Sequence, residues 1–265
     1  MQRIKITSIQ APNADAVCRR IGAYLGEKLG IPCEFIDHIS WQERERMLDR
    51  GEVEIGWICG LPYVWKVERE APGIELLAAQ VMQAERYQDQ PVYYSDVIVR
   101  RDSNFSAFMD LRGASWAFNE PHSHSGYNIT RYHLAVSGET GKFFSRVLEA
   151  GSHQEALKLV LNGEIDASAI DSTVLETEIL LQPEICERFR VIATLGPSPI
   201  PPWVISTQLP FTVRQAIRGV FLDMHSDPLG SSILKAGQIK RFVQVDDRDY
   251  DPIRSMAQIA ESVIL

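Results

Sequence analysis

Two histidines, two serines and a glycine fall within five positions, His122-Ser123-His124-Ser125-Gly126, inside the stretch NEPHSHSGYNITRYHLA. Residues of these types can ligate a metal, form a nucleophile, bind an anion or simply cap a helix. His122-x-His124 supplies two imidazoles, but no third ligand stands at a telling spacing, so no metal site is assigned. Ser, His and Asp follow in the order of some hydrolases. The chain has no G-x-S-x-G elbow to expose a serine nucleophile, so no catalytic residue is assigned either, and no cofactor is expected.

An anion pocket draws on more of the chain. Three turns precede helix-like runs: Ser123-His124-Ser125-Gly126 after SWAFN, Gly151-Ser152-His153 before QEALKLV, and Asp171-Ser172-Thr173 after DASAI. A helix start leaves its first N–H groups without helical acceptors and carries a partial positive charge. Serine hydroxyls, and a glycine that lets backbone come close, turn such an end into an oxyanion site. His124 and His153 add hydrogen-bond donors, and a bound anion would favour their protonated forms. Serine and aspartate are also the preferred helix caps, and capping alone accounts for any one turn. Three such turns with two histidines would make a cradle for a small tetrahedral oxyanion.

The elements that must position these turns alternate along the chain. Strand patterns over 3–9, 31–37, 53–60 and 74–82 alternate with helical patterns over 13–30, 41–51 and 61–70. A second series has strands at 93–101, 115–119, 166–171 and 188–195, and helices at 125–138, 153–165 and 173–181. The βαβ rhythm predicts mostly parallel sheets flanked by helices. In such sheets ligands sit beyond the carboxyl ends of the strands, where the three turns fall. Four prolines within 197–202 then impose an extended segment, either a surface loop or a stiff crossover. Helices return at 211–225, 228–237 and 252–263. Tyr93-Tyr94 and the group Trp57, Tyr63 and Trp65 read first as core packing. Tyr63 nonetheless opens a helix just past a strand, at the ligand edge of its sheet.

Bulk properties narrow the classes. The chain has 265 residues, 45% apolar and 23% charged, enough for one large domain or two ordinary ones. A net charge of −8 argues against a general nucleic-acid binder, while a local pocket can still take an anion. No apolar run approaches the ~18–20 residues of a membrane span. The opening MQRIKITSIQ reads as a strand, not as an export signal. The expectation is therefore either a cytoplasmic protein with Met1 native or an exported one whose signal was removed. Cys18, Cys33, Cys59 and Cys186 match no metal or redox spacing, read as buried free thiols, and favour a reducing compartment.

Four segments together resemble the phosphate/phosphite/phosphonate-binding proteins of ABC importers: EIGWICGLPYVW (54–65), YYSDVIVRRDS (93–103) with DLRGASWAFNEPHSHSGY (110–127), GSHQEALKLVLNGEIDASAIDSTVLE (151–176), and PSPIPPWVI (197–205). The match runs in one order from about residue 3 to about residue 235. The resemblance implies the α/β type II periplasmic-binding fold, with two lobes, two crossover strands and a ligand clamped between the lobes by hinge closure. With that fold, lobe one is expected at 1–95 with 200–265, and lobe two at 96–199. The resemblance further implies that Ser123, His124, Ser125 and His153, beside Gly126, contact the phosphonyl oxygens. Tyr63 and Tyr94 would close over the ligand, and Asp171 would face its substituent or orient His153. The family loop often reads Ser-Thr-Ser-Gly, whereas position 124 here is histidine. A small-molecule oxyanion ligand, an ABC permease partner and a monomeric state are the implied associations. Two other functions fit the same fold. One is a cytoplasmic small-anion sensor. The other is a small-carboxylate lyase drawing acid and base groups from Tyr94, His124, His153 and Asp171.

Overall fold

The structure is a computed structural model and describes residues 3–139 and 142–265. The chain starts with β1 (Ile4–Ser8), α1 (Asp15–Leu29), β2 (Cys33–Ile36), α2 (Trp41–Asp49), β3 (Ile55–Trp57), α3 (Gly60–Val67) and β4 (Ile74–Met82). The punctuation anticipated from sequence operates here. Gly30 closes α1 at φ 63°, a left-handed conformation that favours glycine. Ser40 caps α2 by accepting the Glu43 N–H.

The second series comprises β5 (Val92–Arg100), β6 (Ser115–Phe118), α4 (Ile129–Val136), β7 (Arg146–Glu149), α5 (His153–Leu161), β8 (Ala167–Asp171), α6 (Ser172–Leu181) and β9 (Phe189–Pro199). The return is β10 (Trp203–Ser206), α7 (Phe211–Asp223), α8 (Pro228–Ala236), β11 (Ile239–Val243) and α9 (Asp251–Ala260).

These elements form two compact units. The first holds the chain up to Val92 together with Pro199–Tyr250, and the second holds Tyr93–Ser198 with Asp251–Leu265. In the first unit, six strands lie in the order β11-β4-β10-β3-β1-β2. β1 pairs in parallel with β2 and β3, but β10 runs antiparallel to both β3 and β4, and β11 antiparallel to β4. Trp203 on β10 stands opposite Trp57 on β3, and their rings stack at 5.6 Å. In the second unit, five strands lie in the order β7-β6-β8-β5-β9, with β6 parallel to β7 and β8, and β8 antiparallel to β5. One side of this unit packs Phe108, Trp116, Phe143 and Phe144, the other Leu157, Val160, Ile170 and Phe189.

Several expectations are corrected. The sheets are mixed, because the returning β10 enters the first sheet against the direction of its neighbours. Strands β7, β10 and β11 carried no usable pattern. β10 is buried at all four positions, so it shows no alternation, and β7 is a short edge with little buried side chain. The proline-rich segment is extended as foreseen, but β9 itself continues through Pro199. The C-terminal segment does not stay with the first unit. α9 packs along α4, Val263 is buried in the second unit's core, and Arg131 Nε donates to the Val263 carbonyl at 2.6 Å. The chain therefore passes between units three times, at 92–93, 198–199 and 250–251, where two crossovers were expected. All four cysteines are free thiols, but only Cys18 is fully buried.

Candidate functional site

The second unit ties the first two turns together by hydrogen bonds and packs β8, which leads into the third, against the 124–128 turn. After β6, Ser123 Oγ accepts the Gly126 N–H at 3.1 Å. The expected helix over 125–138 opens instead with one π turn, His124–Asn128, closed by the Asn128 N–H on the Ser123 carbonyl at 3.0 Å. α4 follows it. Such a turn carries one residue more than an α turn and commonly marks functional sites. Gly126 is required by close approach. A Cβ there would lie 2.0 Å from Asn119 Oδ1 and 3.2 Å from His153 Cε1.

The second turn is tied to the first by backbone. The Ala150 N–H bonds the Phe118 carbonyl at 2.8 Å, and the Gly151 N–H bonds the Asn119 carbonyl at 2.7 Å. Ser152 then caps α5 by accepting the Glu155 N–H at 3.1 Å, which starts the helix on His153. His153 Nε2 lies 3.0 Å from Ser125 Oγ, and Ser125 Oγ lies 3.4 Å from Ser123 Oγ. Two helix starts thus share one hydroxyl–imidazole chain.

At the third turn, Asp171 Oδ1 accepts the Thr173 N–H at 2.8 Å, the Thr173 hydroxyl at 2.7 Å and the Val174 N–H at 3.4 Å. The next residue, Ser172, accepts the Tyr94 N–H on its hydroxyl at 3.1 Å. Tyr94 therefore joins the set, and its neighbour Ser95 pairs with Asp171 across β5 and β8.

Burial sets the electrostatics. It pushes both His124 and His153 down to about 3, so both imidazoles are neutral at pH 7. Protonated histidines were an open possibility from sequence, and the fold as it stands does not favour them. Burial pushes Asp171 up to about 6, against the pull of its hydrogen bonds from Thr173 and Val174.

His124 differs most from expectation. Its Nδ1 is 3.1 Å from Asn128 Nδ2 and its Nε2 is 2.9 Å from Ser198 Oγ. Both ring nitrogens are engaged inside the second unit, so the ring is a link in the scaffold and not an open donor. Tyr63 lies in the first unit. Its hydroxyl donates to Asp247 Oδ1 at 2.8 Å and its ring packs on Tyr250 at 4.8 Å. Tyr63 is thus packed and hydrogen-bonded within its own unit. His122 is exposed, and its N–H bonds Glu120 Oε2 at 2.7 Å. Among the described residues, no group of three His, Cys, Asp or Glu side chains is placed to hold a metal. Sequence reasoning passed over Asn119, Asn128 and Ser198. Asn128 had a signal, four residues after His124 on a helix-like run. Ser198, far along the chain among prolines, had none.

The sequence model of one family, described as "ABC transporter, phosphonate, periplasmic substrate-binding protein", matches residues 6–250. The chain belongs to this phosphonate-binding family. A relative in Prochlorococcus marinus (strain MIT 9301), described as a probable ABC transporter phosphite binding protein PhnD1, is 21% identical over 96% of this chain and 89% of its own. The solved structure of PhnD1 from the same organism, in complex with methylphosphonate, superimposes with a TM-score of 0.86 at 18% identity, covering 99% of both chains. A binding-protein component of an ABC phosphonate transporter from Pseudomonas aeruginosa gives a TM-score of 0.85 at 20% identity, covering 98% of this chain and 87% of that one. The phosphonate-family chain thus has the α/β type II periplasmic-binding fold, with two mixed sheets flanked by helices. The family is one of transport proteins. No helix among the described residues is long and apolar enough to cross a membrane.

Proposed function

We propose that this protein binds a small phosphorus oxyanion (phosphonate, phosphite or phosphate) reversibly and hands it to an ABC permease. The observation that carries the reading is the chain Ser123–Ser125–His153, in which a hydroxyl and an imidazole 3.0 Å apart stand at two adjoining helix starts. A tetrahedral oxyanion needs several donors converging from different directions. Hydroxyls of Ser123 and Ser125, backbone N–H groups beside Gly126, and Tyr94 from β5 supply them. With both imidazoles neutral, hydrogen bonds and helix ends must stabilise the ligand's charge. Asp171 would repel an oxyanion if ionised, so its proposed partner is the ligand's substituent, above all an amino group. Tyr63 is a proposed further contact that rests on the resemblance alone. An exported location, a monomeric state and the absence of turnover belong to the same proposal.

The test is calorimetric titration of ligand-stripped protein with phosphate, phosphite, methylphosphonate, 2-aminoethylphosphonate and a dicarboxylate control. Saturable binding of at least one phosphorus compound is expected. His153→Ala and the Ser123→Ala/Ser125→Ala double variant should each weaken it about tenfold or more, because a hydrogen bond to a charged group contributes about 1.5–3 kcal/mol. Both variants should remain folded by circular dichroism. Binding of the dicarboxylate alone would sink the phosphorus assignment. Wild-type affinity in both variants would sink the site.

A further inference from the structure

The His124 imidazole in the first turn has a consequence beyond its own position. Asn128 Nδ2 can only donate, so the 3.1 Å contact makes His124 Nδ1 the acceptor. A neutral ring then carries its proton on Nε2, and Nε2–H donates to Ser198 Oγ at 2.9 Å. The Ser198 oxygen is used as an acceptor, which leaves its own O–H proton to donate elsewhere. Ser198 is only 2% exposed, so that donor is aimed within the protein and not at bulk water. Its segment lies against Tyr93 and Tyr94, the latter a proposed ligand contact. A Cβ on Gly196, two residues earlier, would lie 3.3 Å from the Tyr93 carbonyl and 3.5 Å from the Tyr94 ring, so this segment runs against Tyr93-Tyr94. The Tyr93 ring in turn lies 6.4 Å from the His124 ring.

We infer that Ser198 is a ligand-binding hydroxyl and that His124 is the positioning residue that orients it. His124 thereby acts on the ligand through Ser198 and not directly. The His124–Ser198 pair parallels the neighbouring His153–Ser125 pair. There, buried Nδ1 makes no protein hydrogen bond, and Nε2 faces the Ser125 hydroxyl. A buried lone pair is less costly to leave unpaired than a buried N–H, so His153 too carries its proton on Nε2 and leaves the Ser125 O–H free to donate. The inference rests on the oxyanion-binding reading.

Calorimetry with the phosphorus compound that wild type binds, applied to Ser198→Ala and Ser198→Thr, tests it. Ser198→Ala should lose affinity about 10- to 100-fold, and Ser198→Thr, which keeps the hydroxyl, should recover most of it. Nitrogen-15 spectra of the histidine side chains in wild type should show His124 neutral with its proton on Nε2. A packing role alone would not require that tautomer. If wild type binds no phosphorus oxyanion, the functional reading falls and the inference with it. If wild type binds and Ser198→Ala binds equally well, the inference alone falls. A proton on His124 Nδ1, with the Asn128 amide turned over, would also overturn the inference, and this readout holds even if the alanine variant does not fold.

Discussion

At the scale of residues, burial in the second unit displaces the titration of His124, His153 and Asp171. The unfolded imidazole of His124 or His153 gains its proton near 6.5, whereas the folded unit refuses it until about 3. Their contribution is therefore complete above pH 6.5 and is lost as pH falls through that window. Asp171 has the opposite sign. The folded carboxyl takes a proton near 6 and the unfolded one only near 3.8, so its protonation favours folding as pH falls between those values. Two imidazoles, each displaced further than the single carboxyl, outweigh it. The thermal midpoint should drop steadily from pH 7 to pH 4.5 in scanning calorimetry, and His153→Gln should flatten that slope. A midpoint independent of pH would mean that the imidazoles are not held neutral. Gly126 gives a second prediction at this scale. Gly126→Ala would force its Cβ against Asn119 and His153. The expected cost is about 1–3 kcal/mol in a urea melt, as for other overpacked positions. Affinity should fall in parallel, because His153 must move away from Ser125.

At the scale of elements, helix starts carry the site, and each is set by a local cap. Ser123, Ser152 and Asp171 fix where the π turn, α5 and α6 begin, and so fix which residue stands at each head. The π turn shifts the register of everything after Asn128 by one residue relative to a plain α start. α9 supports the same region from behind, since it packs on α4 and on the π turn. Ile253, Ala260 and Val263 on this segment are fully buried. Burying Ile253 and Val263 is worth about 1.5–3 kcal/mol each. A chain ended at Tyr250 should therefore lose about 10 °C or more in the melting of its second unit. If its melting were unchanged, the segment would be an appendage and not part of that unit's core.

At the scale of the whole molecule, three passages of chain join two units with separate cores. Hydrogen exchange with and without ligand should report which unit the ligand stabilises. Protection at the three turns is expected in the second unit. Added protection around Tyr63 and Asp247 would establish a contribution from the first, and its absence would remove Tyr63 from the site. A binding protein should also return its ligand intact. Phosphorus NMR of methylphosphonate after prolonged incubation should show one unchanged resonance, and a new one would revive the lyase alternative.

Composition, periodicity and turn chemistry were enough to read the alternating α/β order, the extended proline segment and the three capped turns. These are local properties, written into neighbouring residues. The spaced motifs added the family and its fold. Three features needed the folded chain. The antiparallel insertion of β10 depends on a partner strand, β3, that lies almost 150 positions earlier (Trp203 opposite Trp57). The placement of α9 depends on which core has room for Ile253 and Val263. The role of His124 depends on meeting Ser198, 74 positions away. From the sequence, His124 is a residue that could donate to a ligand. The tertiary structure engages both its nitrogens, because folding brings Asn128 and Ser198 within hydrogen-bonding reach of the buried ring.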